Sequence, residues 1–197
     1  MKYFQALILI LTVFFIEKIN AQELPLLTAI RGNYFILNHD SDSLFVSGLK
    51  NSNSQMIYFL FAAEEDPIGL DPGLSNDGRW RSINLLNIFR DYDLAAYFST
   101  PFRRNVLTLQ PLSEYTKIPV SYYDQADLKS LYDKLNKLKS SDVIIMAHKE
   151  SLPKIIEHFT QKGFTENITD QVYDRIFVLE RSLSGLSTVR VFKYDIR

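Results

Sequence analysis

Short apolar runs alternate with helical patterns along most of the chain. Six runs rich in branched and aromatic residues predict β-strands, over residues 56–63, 95–98, 118–122, 143–146, 175–179 and 189–194. The first run stops abruptly at three carboxylates, Glu64, Glu65 and Asp66. Such a run, bounded by polar residues, is typical of a central strand that is covered on both faces. We therefore predict that it crosses the middle of a sheet and ends in a loop.

Helical spacing marks the segments between these runs. Ser75 is a good N-cap for a helix that ends near Asp91, and a second helix is predicted over residues 102–114. Asp127 opens a third, strongly amphipathic helix. A fourth helix starts at Ser151 and is predicted to end at Gly163, which suits a C-cap. In the first helix, the apolar residues at helical spacing are Trp80, Ile83, Leu86 and Phe89.

This order of elements predicts an α/β fold, a three-layer α/β/α sandwich with helices on both faces of one sheet. In open α/β sheets, ligands usually bind beyond the carboxyl ends of the strands. The loop that follows the first strand is therefore where we expect a ligand.

The N-terminal segment predicts export. Residues 1–21 resemble a secretory signal peptide, because Lys2 precedes an apolar run over residues 6–16 and Ala21 is a small residue at the cleavage position. The run is short for a membrane span, although a retained N-terminal anchor is the alternative. We predict a periplasmic or secreted protein. Residues 22–55 form an extension and linker with a hairpin of strands 34–37 and 44–46, and residues 56–197 form the main domain.

Composition excludes several classes of function. The net charge is −1 and basic residues are interleaved with acidic ones, which argues against a nucleic-acid-binding protein. The sequence has no Cys, so disulfides and thiolate zinc sites are absent. Its 3 His residues are scattered. We predict no metal and no cofactor.

Four motifs then follow one another at compatible spacing. They are Phe61-Ala62-Ala63-Glu64, Asp71-Pro72-Gly73-Leu74-Ser75 continuing through Gly78 to Arg81, Thr100-Pro101-Phe102-Arg103-Arg104 continuing to Thr108, and Ala147-His148. Together they resemble the histidine phosphatase superfamily, which has the phosphoglycerate mutase-like fold. The small phosphohistidine-phosphatase-like branch is the most similar, over roughly residues 56 to 180.

The resemblance implies an incomplete catalytic site. In the superfamily, a first His is the nucleophile that becomes phosphorylated, and a second His and two Arg cradle the phosphoryl group. Arg104 corresponds to the second Arg and His148 to the second His. The nucleophile position is Ala62 and the first Arg position is Phe61. The resemblance therefore implies half an anion site and no catalytic residue.

The missing nucleophile decides the leading hypothesis. Removal of a nucleophile can lower turnover by about a millionfold, so we do not expect the superfamily reaction. The leading hypothesis is an exported, catalytically impaired module in which Arg104 and His148 bind a phosphorylated small molecule or phosphoprotein. The sequence predicts no particular protein partner.

Two alternatives remain open. The first is an active phosphomonoesterase with rearranged chemistry, based on the acidic loop Glu64–Asp66 or on His148. The second is a purely structural domain that binds a partner, and a pocket filled by Phe61 would favour it. Weaker candidates for the site are Glu64, Arg103 and Asp124.

Overall fold

The computed structural model describes residues 23–49, 51–166, 168 and 172–196. The predicted signal peptide, residues 1–21, lies outside these residues. The described part of the chain contains a small antiparallel sheet, a larger mixed sheet and four helices.

The small sheet contains the strands nearest the N-terminus. They are β1 (Leu27–Arg31), β2 (Tyr34–Leu37) and β3 (Asp42–Phe45), in that spatial order. The predicted hairpin corresponds to β2 and β3, but β1 was not predicted. Only Leu27 and Ile30 are buried in β1, so its apolar pattern is too weak to identify a strand.

The larger sheet is the centre of the fold. Its strands are β4 (Ser54–Leu60), β5 (Ala96–Ser99), β6 (Val120–Tyr122), β7 (Val143–Met146), β8 (Arg175–Ser182) and β9 (Thr188–Lys193). The spatial order is β6-β5-β7-β4-β8-β9. Strands β4 to β7 are parallel, whereas β8 is antiparallel to both β4 and β9.

Helices cover both faces of this sheet, as predicted. They are α1 (Asn76–Phe89), α2 (Arg103–Thr116), α3 (Leu128–Lys137) and α4 (Leu152–Thr160). Strand β4 is buried along its whole length. Tyr58 and Leu60 pack in the hydrophobic cluster of α1 and α2, whereas Ile57 and Phe59 pack in the cluster of α3 and α4. The alternation of side chains along a strand thus produces the three-layer α/β/α sandwich.

The small sheet shares the first of these clusters. The ring of Phe35 makes T-shaped contacts with Tyr58 and Phe192, at centroid distances of 6.5 and 5.2 Å. Segment 25–26 also joins the end of β9, where the Lys193 N–H donates to the Pro25 carbonyl at 2.9 Å. The N-terminal strands are therefore packed onto the main sheet.

The apolar pattern of α1 is only partly buried, and the predicted C-cap of α4 was wrong. In α1, Trp80 and Ile83 are 57% and 41% exposed, whereas Phe89 is buried. The buried side also includes Arg81 and Leu85. The C-cap of α4 is Gln161 in the left-handed region (φ 56°), so the helix ends before Gly163.

The order of the parallel strands creates a crossover point. The chain passes from β4 through α1 to β5, continues through α2 to β6, and returns through α3 to β7, which lies between β4 and β5. The carboxyl ends of β4, β5 and β7 meet there, and this is the usual ligand position in such sheets. Among the described residues, no helix is long and apolar enough to cross a membrane.

Candidate functional site

A cavity of about 470 Å³ lies at the crossover point. Its lining residues come from the carboxyl ends of several strands: Phe61 and Ala62 follow β4, Phe102, Arg104 and Asn105 follow β5, and Ala147 and His148 follow β7. Val172 and Tyr173, just before β8, also line the cavity, as do Gln125, Lys149 and Glu150. Residues that are far apart in the sequence therefore meet in one concave site.

Four of the residues singled out from the sequence line this cavity: Phe61, Ala62, Arg104 and His148. Ala62 is 8% exposed and provides only a methyl group at the end of β4. Phe61 is partly buried and makes a T-shaped contact with Phe177 at 5.9 Å. Phe61 thus lines the cavity but leaves it open.

The His148 side chain is held by a polar network. Its Nε2 lies 2.9 Å from Thr100 Oγ1 and 3.4 Å from Asn105 Nδ2, and Asn105 Nδ2 also donates to Thr100 Oγ1 at 2.7 Å. Because the Asn105 amide nitrogen can only donate, we assign Nε2 as an acceptor and the ring proton to Nδ1. These contacts give the ring a defined orientation.

Two charges and burial determine the protonation of His148. Burial lowers its pKa, Glu150 opposes this effect, and the nearby Arg104 cation lowers the pKa further. The net direction is downward from the ordinary value of 6.5. At neutral pH the cavity thus contains an uncharged His148 beside the charged Arg104.

Arg104 is engaged by a neighbouring acid. Its Nη1 lies 2.5 Å from Oε2 of Glu65, and the two side chains are 32% and 43% exposed. Glu65 is held in position by a bridge to Leu74, and the adjacent Asp66 N–H donates to the Gly73 carbonyl at 3.0 Å. The ion pair is therefore built on a fixed loop at the edge of the cavity.

Glu64 lies in a different environment. Its carboxylate accepts hydrogen bonds from Arg81 Nε at 3.0 and 2.9 Å and from Arg81 Nη2 at 2.6 Å, while Arg81 Nη1 donates to the Tyr194 carbonyl at 2.7 Å. Burial raises the pKa of Glu64, but the Arg81 hydrogen bonds outweigh it and the net pKa is lowered. The pair joins β4, α1 and the segment after β9, a structural role.

Gly78 explains part of the second motif. A Cβ on this residue would lie 2.2 Å from the Glu64 carbonyl oxygen, so only glycine allows α1 to approach the end of β4. The helix starts as predicted, because the Ser75 Oγ accepts a hydrogen bond from the Gly78 N–H at 3.1 Å. The motif thus fixes the start of α1 against the loop after β4.

The two remaining weak candidates lie outside the cavity lining. The backbone N–H of Arg103 donates to the Asp71 carboxylate at 3.1 and 3.3 Å, and the Arg103 side chain lines a groove between α1 and α2. Asp124 Oδ1 accepts from the Ala126 N–H at 2.8 Å and lines a neighbouring cavity. Of the two adjacent arginines, Arg104 is the one that reaches the site.

Sequence reasoning missed the roles of the residues that orient the site. Thr100 and Asn105 position His148, and Glu65 pairs with Arg104. Thr100 lies inside one of the four motifs, and this position could have identified it as a site residue. Nothing in the sequence pattern distinguishes Asn105 from an ordinary helix residue, although it is only 3% exposed.

A further cavity of about 510 Å³ lies at the other end of the strands, beside the residues that precede β4, β5 and β7. Asp142 lines it, and its carboxylate accepts from the Met56 N–H at 2.7 Å and from the Tyr92 hydroxyl. Burial raises the pKa of Asp142, and these bonds oppose the effect. Across the described residues, no group of three His, Cys, Asp or Glu side chains could hold a metal ion.

Comparison with known proteins supports the predicted fold. No protein-family model and no curated protein matches the sequence. Solved structures do match. The protein histidine phosphatase SixA, complexed with tungstate, has a TM-score of 0.56 and 13% identity, over 70% of this chain and 96% of that chain.

Two further structures show the same likeness. Bacillus stearothermophilus YhfR has a TM-score of 0.53 and 14% identity, over 68% of this chain and 95% of that chain. A mycobacterial glucosyl-3-phosphoglycerate phosphatase has a TM-score of 0.53 and 11% identity, over 72% of this chain and all of that chain, 100%. The chain therefore has the fold of the histidine phosphatase superfamily, as its motifs predicted.

Proposed function

We propose that this protein binds an oxyanion, such as the phosphoryl group of a small molecule or phosphoprotein, and does not hydrolyse it by the superfamily reaction. One observation carries the proposal. Ala62 stands at the end of β4, while Arg104, Asn105 and His148 line the same cavity. The cavity thus offers a cation and oriented polar groups to an anion but no imidazole at the nucleophile position.

The cation and the polar groups suit an oxyanion. A guanidinium forms charge-assisted hydrogen bonds with phosphoryl or carboxylate oxygens, and the Glu65 carboxylate already occupies Arg104 in this way. The imidazole of His148 lines the same cavity and offers one neutral donor, its Nδ1–H. Binding would be weak, because the resemblance places a second Arg where Phe61 stands.

The acidic loop is poorly suited to replace the nucleophile. Glu64 is bound by the buried Arg81, and Glu65 is paired with Arg104. A carboxylate that attacks phosphorus must first leave its cationic partner and then approach a negatively charged group. These contacts favour a binding role over the rearranged phosphomonoesterase.

The binding test uses inorganic phosphate as the probe. In a calorimetric or NMR titration, Arg104→Ala is expected to weaken binding by at least about tenfold, because a hydrogen bond to a charged group contributes ~1.5 to 3 kcal/mol. Arg103→Ala is the matched control, since its side chain lies in the groove between α1 and α2. Equal losses in both variants, or no binding by the natural protein, would contradict the proposal.

The hydrolysis test compares the natural protein with a Phe61→Arg, Ala62→His double variant, using phenyl phosphate with and without Mg²⁺. We expect no turnover by the natural protein and measurable turnover by the double variant, because the variant restores the nucleophile and its cationic neighbour. Turnover by the natural protein that is lost in His148→Ala would instead establish a phosphomonoesterase with different chemistry.

We also propose that the protein acts outside the cytoplasm, in the periplasm or as a secreted protein. The support is the apolar run over residues 6–16 followed by Ala21. N-terminal sequencing of the protein recovered from its native compartment is expected to start at Gln22, and a chain that retains Met1 in the cytoplasm would contradict export.

A further inference from the structure

The cavity is much larger than an oxyanion. Its volume is about 470 Å³. A water molecule takes up about 30 Å³ in the liquid, so a tetrahedral anion of five heavy atoms fills only a minor part of this space. The remainder must be occupied by solvent or by the body of a larger ligand.

The rest of the wall combines aromatic and polar side chains. Phe61, Phe102, Val172 and Tyr173 line the cavity, and so do the polar residues Gln125, Lys149 and Glu150. Phe61 is supported from behind by its T-shaped contact with Phe177 at 5.9 Å, and Phe102 by a T-shaped contact with the His148 ring at 5.7 Å. Phe102 nevertheless remains 49% exposed. Two aromatic rings, the partly buried Phe61 and the more exposed Phe102, thus line the cavity while each also contacts another ring.

The polar groups are provided by other elements. Arg104 and Asn105 belong to the first turn of α2, and His148 follows β7. Phe102 immediately precedes this turn, so one ring borders the polar groups directly. A ligand with an anionic head and a flat apolar body would use the Arg104 cation and the two aromatic rings together.

We propose that the ligand is a small aromatic phosphomonoester, whose phosphoryl group contacts Arg104 and His148 and whose ring packs against Phe61 and Phe102. This inference rests on the proposed function, because it assigns the phosphoryl group to the same anion site. Phe61 stands where the superfamily motif has an Arg. The phosphoryl group of the ligand therefore loses one cationic contact, and its ring gains an aromatic surface. Affinity then depends on the ring as well as on the charge.

The test compares two monoesters that differ in the ring, phenyl phosphate and methyl phosphate, at a pH where both are dianions. Calorimetric titration gives the ratio of their dissociation constants. We expect phenyl phosphate to bind at least about tenfold more tightly, because the ring removes apolar surface from water. In Phe102→Ala this ratio is expected to fall by about threefold or more, and in Phe61→Leu by a smaller factor.

Tyr122→Ala is the matched control. Tyr122 is 52% exposed, similar to Phe102, and lines the neighbouring cavity instead. Its substitution should leave the ratio unchanged. A ratio near one in the natural protein, or an equal fall in Tyr122→Ala, would overturn the aromatic ligand. Titration with inorganic phosphate separates the two proposals. If inorganic phosphate binds at Arg104 but the ratio of the two dissociation constants is near one, only the aromatic ligand is refuted. If neither inorganic phosphate nor either monoester binds, both the anion site and the aromatic ligand are refuted.

Discussion

Glu65→Gln is expected to strengthen phosphate binding at Arg104. In the folded protein, the Glu65 carboxylate is an internal competitor, since its Oε2 lies 2.5 Å from Arg104 Nη1. An incoming oxyanion must replace this contact and then tolerate a nearby negative charge. The amide of Gln keeps the size of the side chain but removes the charge.

The magnitude follows from the exposure of the pair. The Arg104 and Glu65 side chains are 32% and 43% exposed, so the ion pair is largely solvated and contributes ~1 kcal/mol at most. Repulsion between a displaced carboxylate and a bound anion about 4 Å away adds about 1 kcal/mol in water. Together these terms predict a gain in affinity of about five- to thirtyfold.

The assay is a titration with inorganic phosphate at constant low ionic strength, because salt screens such partly exposed charges. Asp66→Asn is the matched control, because it removes the same charge from the next residue while the Arg104–Glu65 pair stays in place. We expect less than a twofold gain for this control. Unchanged affinity in Glu65→Gln, or equal gains in the two variants, would refute the idea that Glu65 competes for Arg104.

Three further predictions concern protonation and stability. Sulfate remains a dianion between pH 5 and 8, so a change in its affinity over this range reports on the protein. Its affinity should rise as the pH falls below the ordinary His pKa of 6.5, because protonation of His148, whose pKa is lowered, adds a cation. His148→Gln should abolish this rise, and a rise that persists in the variant would exclude His148 as its source. Arg81→Met should lower the free energy of unfolding in urea by ~2 to 4 kcal/mol at pH 7, because it leaves Glu64 half-buried without its cation. Since the pKa of Glu64 is lowered in the folded protein, this stabilisation is present above its ordinary pKa of 4.5 and is lost as the pH falls through the folded pKa. The difference in unfolding free energy between Arg81→Met and the natural protein should therefore shrink in acid. A difference that stays constant with pH would contradict the stabilising role of the Arg81–Glu64 pair. Gly78→Ala should lower the free energy of unfolding by ~1 to 3 kcal/mol, because the new Cβ meets the Glu64 carbonyl. Gly163→Ala is the control and should change this free energy little, because the space around Gly163 is open. Equal urea midpoints for the two variants would show that α1 tolerates the Cβ.

The sequence alone was sufficient to predict the fold. The apolar runs and helical spacings identified the strands of the main sheet and its four helices, because burial on two faces requires continuous apolar strands and amphipathic helices. Ser75 was recognised as an N-cap because a hydroxyl at this position satisfies a free backbone N–H, and the structure shows this bond. The order of the motifs identified the superfamily fold.

Sequence patterns could not determine which neighbouring side chains enter the site. Arg103 and Arg104 are equivalent in composition, and only the rotation of about 100° per residue in α2 separates them, so that Arg104 lines the cavity and Arg103 a groove elsewhere. The exposure of Trp80 likewise depends on how α1 is rotated against the sheet. Arg81 occupies the inner side of α1 because Glu64 and the Tyr194 carbonyl satisfy its donors there.

The sequence by itself determined the fold, the position of the cavity at the strand ends, and the lack of His at the end of β4. All of these follow from local patterns and from residue identity. The tertiary structure decided that Glu65 pairs with Arg104, that Thr100 and Asn105 orient His148, and that Phe61 leaves the cavity open. These contacts join residues from separate elements, and their geometry exists only once the sheet has brought the ends of its strands together.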